Sequence, residues 1–310
     1  MAHSAPVRAA TIAALIGNSI FGFSFMFSRM ALDIAAPIVT LMYRFIIAAV
    51  LLAAAAAVSA RRGVRDDGAG GIHFMRFSLR GRSILPLIAL GVVQPVLYFF
   101  CESYGISMTN ATFSGVIIAL IPIVALVFGA LFLRERPRAA QVLWSLVSIA
   151  GVILMTMQQS AEGEIRLSGV LLLFGAVFTG VIYNIISRGL SGEFSVLERT
   201  LVMMITAAVI FTAAAVIQVG ADPVQLLSPL ASPAFLGAIV YLSVFSSVGA
   251  FFMLNYANSY LPVAKTTAFC NLTTVISLFA GVVFLGEPFG PVSLAASVMI
   301  VLGIWGVQRN

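Results

Sequence analysis

Three polar side chains interrupt a long apolar run at a spacing of four residues: Gln94, Tyr98 and Glu102, in the stretch QPVLYFFCES. On a helix, residues four apart lie on the same face, so these groups form one polar stripe. A carboxyl group in an apolar environment is costly unless it is paired or hydrogen-bonded. The stripe therefore predicts a functional role for Glu102, at the edge of a cavity lined by Gln94 and Tyr98.

Arg44 is a basic residue inside another apolar run, LMYRFIIAAVLL. We interpret Arg44 and Glu102 as a gate or a coupling device. Three roles are open for them: a structural salt bridge, recognition of a charged substrate, or proton coupling through the carboxyl group.

Polar residues recur at helical spacing in further apolar runs, and we predict that several of them line a substrate cavity. The amides of Asn18 and Asn271 are the best candidates, because a buried amide must find hydrogen-bond partners. Ser and Thr commonly bond to their own helix backbone, which is the alternative for the hydroxyl-bearing members. The predicted cavity residues are Asn18, Gln94, Tyr98, Thr179, Tyr183, Ser246, Asn271 and Thr274. Pro122 is predicted to kink its helix and act as a hinge.

The elements that carry these residues are long apolar segments. The chain has 310 residues, of which 61% are hydrophobic and 9% charged, a composition typical of a membrane protein with many spans. The fold class predicted is all-α, with ten transmembrane helices. These are residues 8–30, 36–58, 84–106, 109–133, 139–158, 167–187, 199–218, 232–256, 262–285 and 289–308.

Basic residues fall mostly on one side of this arrangement. Of the 17 Lys and Arg residues, all but Arg29, Arg44 and Arg166 lie in loops or termini on the side of the N-terminus. Cytoplasmic loops carry such an excess, so both termini are predicted to be cytoplasmic, as is the polar loop 59–83. The basic residues are thus topology signals, and no nucleic-acid partner is expected.

The two halves of the chain resemble each other at an offset of 152 residues. Segment 111–135 aligns with segment 263–287, with Glu135 opposite Glu287 near the ends. We therefore predict two five-helix repeats. They cover residues 8–158 and 167–308. Because five is odd, the second repeat would insert upside down relative to the first, a design that recurs in transporters with a binding site between the halves.

With these features the chain resembles the drug/metabolite transporter superfamily, in its EamA-type branch. The resemblance is carried by LMYRFIIAAVLL, by the helix endings FLRERP and FLGEP, and by Gly17 and Gly175. It implies ten helices in two repeats, with a cavity lined by the first, third, fourth, sixth, eighth and ninth helices. Within the family the chain is most similar to the aromatic amino-acid exporter (YddG-type) branch. Pro122 matches a proline frequent in the family, whereas its repeat counterpart is Thr274.

We therefore expect a secondary transporter that exports small amphipathic metabolites, in the first place amino acids including aromatic ones, by alternating access. The expected location is the bacterial inner membrane, and the expected partners are an amino-acid substrate and the lipid bilayer, with the chain acting as a monomer. Another metabolite or drug as substrate, or a facilitative channel-like pore, is the alternative. Phosphorylated substrates are less favoured because Arg44 is the only base at membrane depth.

Other classes of function lack their motifs. The sequence contains no Gly-Lys-Ser/Thr nucleotide loop and no Gly-x-Ser-x-Gly elbow, so neither an ATP-driven pump nor an intramembrane hydrolase is expected. The two cysteines and two histidines form no cluster along the chain, so we expect no metal and no cofactor.

Overall fold

The fold is described from a computed structural model. The residues described are 4–61, 82–132, 138–161, 165–220, 222–262, 266 and 269–309. Among them the secondary structure is entirely helical, with no strand. Most of the predicted loop 59–83 lies outside the described residues.

Each predicted apolar segment contains a described helix, in the predicted order. The first half contains α1 (Ser4–Leu32), α2 (Pro37–Arg61), α3 (Leu85–Ser107), α4 (Ala111–Ile118 and Ile121–Phe132) and α5 (Ala139–Ala161). The second half contains α6 (Leu167–Gly189), α7 (Val196–Val219), α8 (Pro233–Tyr260), α9 (Cys270–Phe284) and α10 (Pro291–Arg309).

Length and apolar composition make this a multi-pass membrane protein. Seven helices among the described residues, α1 to α4 and α6 to α8, are long and apolar enough to cross a membrane. The apolar parts of the other three are shorter, at Ala139–Met155, Leu272–Phe284 and Pro291–Gly306. Crossing by all ten helices and the cytoplasmic position of both termini stay predictions.

The helices of the two halves pack against each other reciprocally. The first helix of each half packs against the third helix of the other, α1 against α8 and α6 against α3. The second helices, α2 and α7, pack together, and so do the fifth helices, α5 and α10. The result is a repeat-like architecture of two domains with an extensive interface between them.

Small residues allow the fifth helices to approach closely, as is common in membrane proteins. A Cβ atom added to Gly151 on α5 would lie 2.8 Å from the Ala296 carbonyl oxygen on α10. A Cβ atom added to Gly303 on α10 would lie 2.7 Å from the Trp144 carbonyl oxygen on α5. Gly151 and Gly303 are separated by the repeat offset of 152 residues, and so are Trp144 and Ala296. The same glycine contact is therefore made twice, once from each half.

Arg29, near the end of α1, holds the end of α3. Its Nη1 donates to the carbonyl oxygens of Ile106 and Thr109, at 3.3 and 2.9 Å, and its Nε lies 3.1 Å from the Asp33 carboxylate. The last carbonyl groups of a helix have no partner within the helix, and a cation is favourable beside them. This contact explains a basic residue on the side of the molecule predicted to be poor in them.

Arg188, near the end of α6, makes the same contact in the second half. Its Nη1 donates to the carbonyl oxygens of Asn258 and Leu261 at the end of α8, at 2.9 and 2.8 Å. These acceptors lie 152 residues beyond those of Arg29. We refer to Arg29 and Arg188 as the terminal arginines; each ties the first helix of its half to the third.

The ending FLGEP of α9 has a structural role. Glu287 accepts hydrogen bonds from the backbone nitrogens of Ala111 and Thr112, each at 2.7 Å, in the first turn of α4. Gly286 has a φ of 65°, which a glycine adopts readily, and so permits the turn before the carboxylate. An anion at a helix N-terminus accepts hydrogen bonds from the free N–H groups and interacts favourably with the helix dipole. The equivalent Glu135 lies outside the described residues.

The third helix of each half contains a π-helical segment at the equivalent position, Val92–Leu97 in α3 and Tyr241–Ala250 in α8. In α3 the backbone at Gln94 is extended, with φ −148° and ψ 120°, and Pro95 follows it. Such π segments are frequent at functional sites. α4 is also interrupted, between its two parts and just before Pro122, where the hinge is predicted.

We expect Arg29→Gln and Arg188→Gln each to lower the thermal unfolding temperature of the protein in nanodiscs. Each change uncovers two helix-end carbonyl groups, and hydrogen bonds from a charged group contribute about 1.5–3 kcal/mol. Arg8→Gln is the control, because Arg8 is exposed and has no partner among the described residues. Unfolding temperatures equal to that of the unchanged protein in both variants would contradict this role.

Candidate functional site

Arg44 is buried at the interface between the halves, with 1% of its surface exposed. Its Nε donates to the Ser247 hydroxyl and its Nη2 to the Ser246 hydroxyl, both at 2.8 Å, on the π segment of α8. Its guanidinium carbon lies 4.0 Å from the centroid of the Phe99 ring on α3. An aromatic face attracts a desolvated cation. Arg44 therefore links α2 to the third helix of each half.

Glu102 lies on α3, one helical turn beyond Tyr98, and both are buried. Residues four apart share a helix face, and Phe99, between Tyr98 and Glu102 in the sequence, has its ring centroid 4.0 Å from the Arg44 guanidinium carbon. The ion pairs found among the described residues are Arg29–Asp33 and Arg82–Glu198. Arg44 and Glu102 thus lie near each other without forming the salt bridge that was one of their three possible roles. We call them the open charge pair.

Two buried polar atoms beside the open charge pair have no hydrogen-bond partner. The Oε1 atom of Gln94 is one, four residues before Tyr98 in the π segment of α3, where the extended backbone breaks the helical stripe predicted for Gln94, Tyr98 and Glu102. The Ser243 hydroxyl is the other, on the π segment of α8 and one turn before Ser247. Buried polar atoms are normally bonded, so an unbonded one marks a position where a ligand or water can bind.

Aromatic rings from both halves surround this region. The repeat-related residues Phe99 and Phe251 contact each other, with ring centroids 5.8 Å apart. Phe21 on α1 and Tyr183 on α6 both pack edge-on against Phe251, at 5.3 and 5.9 Å. Phe45 lies 5.4 Å from Phe99 on the other side. Apolar and polar groups thus converge between the halves, as in a small-molecule site.

The structure therefore brings together five of the residues singled out from the sequence. Gln94, Tyr98 and Glu102 line α3, Arg44 approaches them from α2, and Ser246 approaches from α8. The signal that found them was a polar or charged side chain in an apolar run.

The side chains of other predicted cavity residues donate to helix backbone. Asn18 donates to the Ala14 carbonyl oxygen at 2.7 Å and receives a bond from Thr273 on α9. Thr179 donates to carbonyl oxygens of its own helix, and Thr274 donates to Gly115 on α4 at 3.2 Å. These are the helix-backbone contacts expected of Ser and Thr in membranes. The side chain of Asn271, in α9, lies outside what the structure describes.

A second buried network of hydrogen bonds, around Arg199, was not predicted from the sequence. Arg199 donates to the carbonyl oxygens of Ser187 and Asn255, at 2.8 and 3.0 Å, near the ends of α6 and α8. Tyr183, predicted to line the cavity, donates instead to the side chain of Asn255 at 3.2 Å. Asn258 joins the same network.

The sequence places Arg199 at the edge of a loop, because the seventh helix is predicted to begin at residue 199. The helix begins at Val196, where the Ser195 hydroxyl and the Glu198 carboxylate form a capping box. Arg199 therefore lies in the first turn and faces inward, with none of its surface exposed. The capping sequence SVLE contains a Ser three residues before a Glu, the pattern that marks such a start.

A separate cleft of about 390 Å³ opens where α1, the turn before α4 and the end of α9 meet. It is lined by Arg29, Asp33, Asn110 and Glu287, among others. The charged side chains here already bind one another or helix ends, so this cleft shows no unsatisfied charge. The open charge pair is the better candidate for binding a ligand.

A family model matches residues 8–157 and again residues 167–309 of the chain. The chain belongs to the EamA-like transporter family. One relative, the uncharacterized transporter YcxC of Bacillus subtilis (strain 168), is 32% identical over 97% of this chain and 93% of its own length. Another, a probable terminal-alkyne amino-acid exporter of Streptantibioticus cattleyicolor, is 28% identical over 73% of this chain and 74% of its own length.

Among solved structures, a crystal structure matches this EamA-family protein with a TM-score of 0.65 and 18% identity over 97% of both chains. That likeness concerns the fold alone. The family match over most of the chain makes the protein a transporter of the EamA-like family.

We expect the double variant Ser246→Ala, Ser247→Ala to lower the unfolding temperature and the yield of monodisperse protein. The change removes both oxygen acceptors of a buried cation, whose loss costs about 1–3 kcal/mol per unsatisfied group. Ser19→Ala is the matched control, because Ser19 donates only to the Leu15 carbonyl oxygen of its own helix. If the double variant unfolds at the same temperature as the control, Arg44 is held by other contacts.

Proposed function

We propose that this EamA-family protein is a secondary transporter that exports small amphipathic metabolites, in the first place amino acids, across the bacterial inner membrane. The observation that carries the proposal is the open charge pair, buried between the two halves and surrounded by aromatic rings. Ionisable groups at membrane depth are expensive, and in transporters they mark the substrate or ion pathway.

An amino acid suits the chemistry of this region. It carries an anion, a cation and a side chain that is often apolar, and the region offers a guanidinium, a carboxyl group and aromatic rings. The relative described as a probable terminal-alkyne amino-acid exporter also favours this substrate class. Aromatic amino acids fall within the proposed range because Phe21, Phe99 and Phe251 can stack with their rings.

Alternating access is the proposed mechanism. Two inverted five-helix repeats, 8–158 and 167–308, with ten crossings and both termini cytoplasmic, would let the halves exchange inward-open and outward-open arrangements. The reciprocal packing and the terminal arginines, one per half, support this arrangement. The π segments of α3 and α8 and the break before Pro122 provide places where helices can bend. We propose that the chain transports as a monomer.

The test is counterflow in proteoliposomes. With a high concentration of one unlabelled amino acid inside, we expect labelled amino acid outside to accumulate transiently and in a saturable manner. A panel should cover aromatic, aliphatic and charged amino acids, with protein-free liposomes as the control. Absence of counterflow for every amino acid would contradict the proposed substrate class, and flux that never saturates would indicate a pore.

A further inference from the structure

We propose that the open charge pair recognises both ends of a zwitterion, with Arg44 binding the carboxylate of the substrate and Glu102 binding its ammonium group. The proposal rests on the proposed function and specifies which side chain binds the carboxylate and which binds the ammonium group of the substrate. It follows from the hydrogen bonds that these two residues make and from those that they leave unmade.

The two buried arginines differ in how their charge is balanced. Arg199 donates to two backbone carbonyl oxygens close to helix C-terminal ends, where the helix dipole is negative. Arg44 donates to two neutral hydroxyl groups in the middle of α8 and faces an aromatic ring. No described residue accepts a hydrogen bond from its Nη1. Arg199 is therefore held by helix-end carbonyl oxygens through Nη1 and Nη2, although its buried Nε has no partner. Arg44 has neutral hydroxyl acceptors and keeps Nη1 and its charge for an anion.

Contacts other than Glu102 hold the guanidinium of Arg44. The hydroxyls of Ser246 and Ser247 hold one edge of the guanidinium, and its face rests on the Phe99 ring. The two serines leave the edge formed by Nη1 and the second N–H of Nη2, and a planar guanidinium binds a carboxylate through such paired N–H groups. A substrate carboxylate there would complete the charge balance of Arg44.

Glu102 is placed to receive the other end of the substrate. It lies one helical turn beyond Tyr98 on α3, and Gln94, whose Oε1 has no donor, precedes Tyr98 by four residues at the kink of the π segment. An ammonium group has three donors and no acceptor, so it matches the carboxylate and phenol oxygens of α3 and the amide oxygen of Gln94 at the kink before them. A buried anion or cation left alone is costly, and one zwitterion supplies each with its opposite charge.

The experiment compares three inhibitors of amino-acid counterflow: the parent amino acid, its N-acetyl derivative and its methyl ester. The N-acetyl derivative keeps only the negative end, and the ester keeps only the positive end. In the unchanged protein we expect the parent to inhibit roughly tenfold or more better than either, because each lost partner is a hydrogen bond between charged groups.

The two variants should then respond in opposite ways. In Glu102→Gln the ratio of inhibition by the parent to inhibition by the N-acetyl derivative should fall towards one. The reason is that the ammonium group is no longer recognised by charge. In Arg44→Gln the preference for the parent over the ester should shrink instead. For a variant that folds but does not transport, the ligand-induced shift of the unfolding temperature measures binding of each compound and gives the same ratios. Arg44→Lys and Glu102→Asp are milder variants that keep the charge.

Arg199→Lys is the matched control, a buried arginine outside the open charge pair. It should lower the unfolding temperature and leave the inhibitor ratios unchanged. If Glu102→Gln and Arg44→Gln weaken all three inhibitors by the same factor, the pair is structural and this proposal is overturned, while amino-acid counterflow by the unchanged protein still upholds the proposed function. If no amino acid supports counterflow or shifts the unfolding temperature, both the proposed function and the zwitterion proposal are overturned.

Discussion

A charge inside a lipid bilayer has no water to solvate it, so the protein or its ligand must supply every partner. Arg29 and Arg188 meet this constraint at helix ends, where free carbonyl groups accept their hydrogen bonds. Arg199 meets it in part, deep inside the protein, where carbonyl oxygens accept from Nη1 and Nη2 while its Nε has no partner. Arg44 and Glu102 do not, because the serines that bind Arg44 are neutral and no ion pair among the described residues includes either group. Their incomplete balance distinguishes a binding site from a structural contact.

The remainder of the fold brings these two groups together. Arg44 comes from the second helix and Glu102 from the third, while the serines that hold the guanidinium belong to α8 in the other half. Close contacts at Gly151 and Gly303 join the fifth helices, away from this region. Because the site is made from both halves, any relative movement of the halves changes it, which is what alternating access requires of a substrate site.

The sequence was sufficient to locate the open charge pair, since a Glu or Arg in an apolar run is visible without a structure. Hydrogen-bond partners were not predictable in the same way: Asn18 is an equally conspicuous amide, yet it binds helix backbone. Arg199 was misassigned because a shift of a few residues in a helix start moves a side chain from the loop to the interior. The cap that Glu287 forms on α4 depends on two elements far apart in the chain, so a motif alone does not reveal it.

The central claim is that Arg44 binds the substrate carboxylate, and a solid-state NMR distance measurement tests it directly. The protein would carry isotope-labelled arginine nitrogens and be saturated with an amino acid labelled at its carboxyl carbon. The account predicts dipolar coupling between the bound carboxylate and a guanidinium, lost in Arg44→Lys and retained in Arg199→Lys. Bound amino acid with no such coupling, or coupling that persists in Arg44→Lys, would contradict it.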